Sequence, residues 1–227
     1  MKNKALLAVV GALLSTSPAL AAPAWEFTSP GNGFTNGTWD FATAFTVNRN
    51  VTASGLGYYA DPVTGNADSN AVALYQCADV ACLTTGTLLA TAIVTNLYPI
   101  NGHFRYVTIP VVNLIAGVSY EVAGVSNADN YTWADPGFAT DPAITILNTS
   151  GQYSRWQSLS TPNFLTGSGS IDLGTNDGYW GPNVFLGSAG GFTGVPEPTT
   201  WALLILGMGF VGATMRKRQQ ATVRYAF

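Results

Sequence analysis

The sequence predicts an all-β protein, a single β-sandwich or jelly-roll domain set between an N-terminal signal peptide and one C-terminal transmembrane helix. Three observations carry that expectation. Across residues 22–187, aromatic and β-branched residues come in short runs broken by Gly, Asn, Asp and Pro, the rhythm of strands and turns. The region is long enough for one real core, and its aromatic richness argues against disorder. Both ends of the chain, by contrast, are apolar runs flanked by cations.

The first element is an address. Lys2 and Lys4 form a positive n-region, Ala5 to Leu14 an apolar core, and Ala19-Leu20-Ala21 a small-residue cleavage site. Residues 1–21 therefore read as a secretory signal handled by the Sec machinery and signal peptidase, with the mature chain beginning at Ala22. An uncleaved helix is the alternative; the short apolar core and Pro18 stand against it.

The strands follow. Asn36-Gly37 predicts a turn, and the next residues alternate, with Trp39, Phe41, Phe45 and Val47 facing a core and Thr38, Asp40, Ala42 and Thr46 facing water. Val51 and Ala53 point inward, but Leu56 and Tyr58 continue in the opposite phase, which predicts a bulge near Ser54-Gly55. Asp61-Pro62 ends that strand. Ala71 to Cys77 and Leu88 to Thr95 read as strands flanking a loop, then Phe104 to Ile109 and Val118 to Val125 on either side of Ala116-Gly117. Weaker signals lie at Ala143 to Leu147, Ser154 to Ser158 and Val184 to Leu186, and Thr161 to Gly181 reads mostly as loop. Cys77 and Cys82 bound a short loop; in an oxidising compartment they form a disulfide worth about 2 kcal/mol.

Residues 188–198 are a Gly-rich linker ending in Val195-Pro196-Glu197-Pro198. Pro196 and Pro198 lack N–H groups and push their predecessors toward extended conformations, so the motif stays out of the helix that follows. Residues 199–218 hold that helix and its stop. The apolar run Trp201 to Met215 gives about 22 Å of helix against a hydrocarbon core of about 30 Å, so it spans only with help from its flanks. Arg216, Lys217 and Arg218 supply that help by snorkelling, and they keep residues 219–227 cytoplasmic while the middle of the chain lies outside. A buried core helix of this length is the alternative, and three adjacent cations oppose it.

The proline-flanked glutamate, short span and basic cluster together resemble the PEP-CTERM sorting signal of Gram-negative bacteria. That resemblance implies recognition at Pro196-Glu197-Pro198 by an exosortase, a transient stay in the inner membrane, and export to the surface alongside exopolysaccharide. Most members stop soon after the basic cluster, whereas this chain continues to Phe227. A second resemblance covers about half of the exported region. Gly55-Leu56-Gly57-Tyr58-Tyr59, Thr87 to Thr91, Phe104 to Val107 and Leu114 to Tyr120 are similar to a β-sandwich domain of unknown function found in secreted bacterial proteins. It implies a fold and carries over no functional residue.

Composition narrows the function. Residues 22–187 hold Arg49, Arg105 and Arg155 against eleven carboxylates, a net charge of −8 with no lysine. Nucleic acid binding needs a phosphate-neutralising patch, and none is present. Calcium is compatible with that acidity: Asn66-Ala67-Asp68-Ser69-Asn70 spaces oxygens at every second residue with Asp61 nearby, the alternative being an ordinary Asx-rich turn. Zinc would need more ligands than two cysteines and His103. Tyr58-Tyr59, Tyr131-Thr132-Trp133, Tyr153, Trp156 and Tyr179-Trp180 place aromatics near turns, and Tyr59, Trp133, Trp156 and Trp180 are the candidates for a sugar-stacking platform, the alternative for each being burial in the core. Hydrolytic chemistry has little to build on, since the single histidine, His103, sits in the turn Asn101-Gly102-His103 and reads as a solvated turn residue.

The expectation is thus a non-enzymatic, cofactor-free surface or matrix protein, structural or adhesive. A carbohydrate-binding module is the alternative, and a secreted hydrolase the third reading.

Overall fold

The computed structural model describes residues 21–66, 69–147, 154–166 and 178–187. The bulk of the predicted signal peptide, the linker with its motif, the span and the tail lie outside the described residues. In chain order the strands are β1 (Ala22–Pro23), β2 (Trp25–Glu26), β3 (Asn32–Phe34), β4 (Asp40–Val47), β5 (Val51–Tyr59), β6 (Asn70–Cys77), β7 (Gly86–Val94) and β8 (Ile100–Asn101). They continue as β9 (Phe104–Leu114), β10 (Ser119–Val125), β11 (Tyr131–Trp133), β12 (Ala139–Thr140), β13 (Ile144–Ile146), β14 (Arg155–Gln157) and β15 (Pro182–Leu186). There is no helix among the described residues.

One sheet runs β1-β15-β5-β9-β8 and the other β13-β4-β10-β6-β7, with β14 also pairing β4. Every ladder is antiparallel. The inner faces meet in one core: Leu56, Tyr58, Tyr106 and Phe185 from the first sheet, Phe45, Leu74, Tyr120 and Val122 from the second. This is the all-β sandwich arrangement that the alternating pattern predicts. The β5–β9 register shifts between Ala53 and Gly55, so the predicted phase change is a real bulge. Two small ladders, β3 with β11 and β2 with β12, close one end.

One expectation is overturned. The second face of β4 does not meet water: Asp40, Ala42 and Ala44 are buried. An irregular strap, residues 158–166, lies across them. Leu165 packs on Ala42 and Ala123, while Phe164 packs beside Ala44 and the Cys77–Cys82 disulfide. The Tyr75 hydroxyl donates to Pro162 O at 2.7 Å, and Asn163 N–H donates to Asp40 Oδ2 at 2.6 Å. A strand whose outer side chains are small accepts such a third layer, which short-range alternation does not reveal.

Candidate functional site

The strap is fastened by a buried ion pair. Arg155, on β14, donates to Glu121 Oε2 on β10 at 2.5 Å, to Leu165 O at 2.7 Å, to Cys82 O at 2.6 Å and to Ala81 O at 3.2 Å. Leu165 N–H donates to the other Glu121 oxygen at 2.7 Å. One guanidinium therefore joins the strap, the central strand and the disulfide loop. Burial pushes the Glu121 carboxyl up to about 8, against the pull of Leu165 N–H and Arg155. The disulfide predicted between Cys77 and Cys82 is formed. Its loop is further held by half-buried Asp79, whose carboxylate accepts from Leu83 N, Thr84 N and Thr84 Oγ1.

The aromatics divide into two sets. Tyr59 and Trp180 are not a platform: Tyr59 packs on Phe27 and Phe104, and Trp180 stacks on Phe138 at 4.3 Å and leans on Trp25 at 5.8 Å, both inside the core. Both close the core where the sheets end, so their large rings face inward. Trp133 and Trp156 belong elsewhere. Trp133 lies 5.9 Å from both Tyr131 and Tyr179 and 6.0 Å from Phe34. Trp156 meets Trp39 edge-on at 4.9 Å. Asn36 links the two groups, because its Oδ1 accepts from Trp39 Nε1 at 2.6 Å and from the Tyr131 hydroxyl at 3.4 Å.

This aromatic end of the sandwich is half-open. Phe34 is exposed, Trp39, Trp133, Trp156 and Tyr179 are half-buried, and Tyr131 is buried beneath them. Exposed Asn32, Asn36 and Gln157 supply hydrogen-bonding groups at its rim. The geometry is fixed from behind. Ala134, directly after Trp133, holds φ at 53°, a left-handed conformation that costs a residue with a Cβ about 1 kcal/mol. Asp135 stabilises that turn, its Oδ1 accepting from Gly31 N and from Thr132 Oγ1, both at 2.6 Å. Phe34 and Trp39 escape sequence reasoning because alternation assigns Trp39 to the core and nothing local distinguishes Phe34. The Asn36-Gly37 turn between them is the available signal.

The Asx-rich cluster is a turn scaffold in its described part. Asp61 Oδ1 accepts from Val63 N and Thr64 N, and its Oδ2 accepts from Asn130 Nδ2. Burial works against that charge, yet the Asn130 amide and the Thr64 and Val63 N–H groups hold the Asp61 carboxyl below its usual range. Asn66 Oδ1 accepts from Arg105 Nε, its amide donates to Tyr59 O and Asn70 Oδ1, and Asn70 donates to Val125 O and Ser126 O. The oxygens proposed for calcium are thus occupied by donors, one of them a guanidinium. Asp68 lies outside the described residues, and no cluster of His, Cys, Asp and Glu suited to a metal occurs among those described.

His103 is not a freely solvated turn residue. Its ring stacks on Phe27 at 4.6 Å, and Nδ1 lies 2.8 Å from Glu26 Oε1, while its backbone N–H donates to Glu26 Oε2 at 3.0 Å. The contact uses Gly102, where φ is 62° and an added Cβ would push the Glu26 carboxylate away from His103. No serine is hydrogen-bonded to this histidine among the described residues.

Beyond the last strand the chain reaches the stretch with the proline-flanked glutamate. The PEP-CTERM protein-sorting motif matches residues 194–219, a window that contains Pro196-Glu197-Pro198 and Arg216-Lys217-Arg218. This stretch is a sorting motif. The PEP-CTERM motif implies exosortase processing of an exported, membrane-anchored precursor, and the domain it delivers is all-β. No curated protein matches the chain.

Proposed function

We propose that the protein is a non-enzymatic component of the cell surface or extracellular matrix, structural or adhesive, released from its anchor by an exosortase and associated with exopolysaccharide. The observation that carries this reading is the sorting motif at 194–219, attached to a disulfide-closed, all-β domain. On this reading Pro196-Glu197-Pro198 is a substrate presented to a membrane enzyme, and Arg216, Lys217 and Arg218 hold the precursor in place until cleavage. Replacing Pro196 and Pro198 by Ala should leave the precursor in the inner membrane, as followed by fractionation and immunoblot. Release of that variant at the wild-type rate would sink the sorting assignment.

A second reading rests on the aromatic end. Phe34, Trp39, Trp133, Trp156 and Tyr179 offer ring faces beside amide groups, the combination that binds sugars by stacking and hydroxyl hydrogen bonds. The released protein should therefore be retained on its own cells' exopolysaccharide. Trp133→Ala with Trp156→Ala should weaken retention about tenfold, as expected for two stacking contacts. Unchanged retention with an unchanged melting temperature would leave adhesion to another face.

A further inference from the structure

The longest exposed edge of the sandwich is chemically unlike the rest of the molecule. Between Asp79 and Glu121 the only charged residue is Arg105, in a domain that otherwise carries a net −8. The same stretch holds most of the exposed large aliphatic residues, Leu88, Ile93, Leu97, Ile100, Val111 and Ile115 among them. It builds β7, the outer strand of its sheet, and β9, which lies beside β7 and is covered in its own sheet only by the two-residue β8.

The two edges are guarded differently. Sheet edges in monomeric proteins are kept from pairing by shortness, proline, charge or bulges. Here β1, β8, β13 and β14 are two or three residues long, and β9 carries Pro110 and the irregular register opposite Ala53 and Gly55. β7 is nine residues long, with no charge and no proline, and no strand among the described residues pairs with its outer edge. Its one irregularity, the extra residue Leu89 against β6, leaves Ala90 to Val94 in regular register.

We infer that β7 is a self-association edge, pairing antiparallel with β7 of a second copy about a two-fold axis near Ala90, the midpoint of the strand. A second copy fits for two reasons. An antiparallel pair of identical strands is self-complementary in both hydrogen bonding and side-chain alternation, as a two-fold interface requires. The domain as a whole is acidic, whereas β7 and β9 meet their twin with no carboxylate between residues 80 and 120. The area is adequate. A nine-residue strand is about 30 Å long, and two stacked sheet edges with their side chains are about 20 Å across, so the side presents roughly 600 Å² before contour is counted. That approaches the ~800 Å² per partner of an ordinary stable interface. The ladder would join two six-stranded sheets into one continuous sheet.

Sedimentation velocity on the protein recovered after export tests this, with the wild type compared with Ile93→Lys and, separately, Leu88→Lys. Both side chains are more than half exposed, so neither change disturbs the core, and an unchanged melting temperature confirms that the fold is kept. A concentration-dependent wild-type dimer that either lysine weakens about tenfold or more supports the inference, because each lysine would then place a charge in an otherwise uncharged seam. Three results overturn it. The first is a wild type that stays monomeric up to about 100 µM, weaker than a useful interface. The second is a dimer indifferent to both lysines. The third is a monomer that instead floats with neutral phosphatidylcholine vesicles and loses flotation in Ile93→Lys, which would assign the edge to a lipid surface.

Discussion

Arg155→Ala is expected to destabilise the folded domain by about 3–5 kcal/mol, the cost of leaving a buried charge without its partner. Glu121 is fully buried on the central strand of its sheet, so water cannot replace the lost guanidinium. The loss extends beyond the ion pair. Leu165, Cys82 and Ala81 each lose the donor to their carbonyl oxygens, which detaches the strap and the disulfide loop together. Urea unfolding measures the change, and a value under about 1 kcal/mol would contradict the assignment of Arg155 as the fastening. Glu121→Leu with Arg155→Met separates the two contributions. Removing both charges should recover much of the loss, since apolar replacement of a buried pair is often neutral, but the three orphaned carbonyls should prevent full recovery.

The stability of the domain should also fall as pH rises toward neutrality. Asp40 is fully buried, its Oδ1 has no hydrogen-bond partner among the described residues, and its Oδ2 has only Asn163 N–H. Burial pushes this carboxyl up to about 7, against the Asn163 N–H. Between about 4 and about 7 the folded domain therefore keeps a proton that the unfolded chain has released. Stability contributed by that proton is complete at the acid end of the window and gone above it, a change of about 2–4 kcal/mol. Asp61 acts oppositely, its lowered carboxyl contributing stability above its unfolded value that is lost as pH falls through its folded one. Asp40→Asn should flatten the decline between pH 5 and pH 8 and raise the melting temperature at the alkaline end. Parallel profiles for wild type and variant would exclude Asp40 as the source.

Much of the sandwich was legible where strands were long. β4, β5, β6, β7, β9 and β10 have enough residues for the period of two to show, and even the phase change at Ser54-Gly55 could be read from it. β1, β2, β3, β11 and β12 passed unseen because two or three residues hold no period. The strap is the deeper omission. Its partners, Asp40, Glu121 and Arg155, are remote in sequence, and the burial of the two carboxylates is created by an irregular segment with no pattern of its own. A signal was nevertheless present, a lone glutamate in the apolar run Val118 to Val125 and very few cations to answer it. The sorting motif was legible in full because its information is local: two prolines, a short apolar run and adjacent cations. The aromatic end was half legible, since Trp133 and Tyr179 stand beside turns while burial of Tyr59 and Trp180 is decided by the closure of the sheets.

The place of β15 sets a timetable. It is the last strand of the described chain, yet it lies between β1 and β5, and Asn183 donates to Trp25 O to fasten the first residues of the domain. A chain crossing a membrane from its N-terminus delivers this strand after every other. Until Leu186 emerges, β1 has no partner, β5 has one bare side, and Phe185 is missing from the core. Completion of the fold therefore waits for the strand that ends ten residues before Pro196 of the sorting motif.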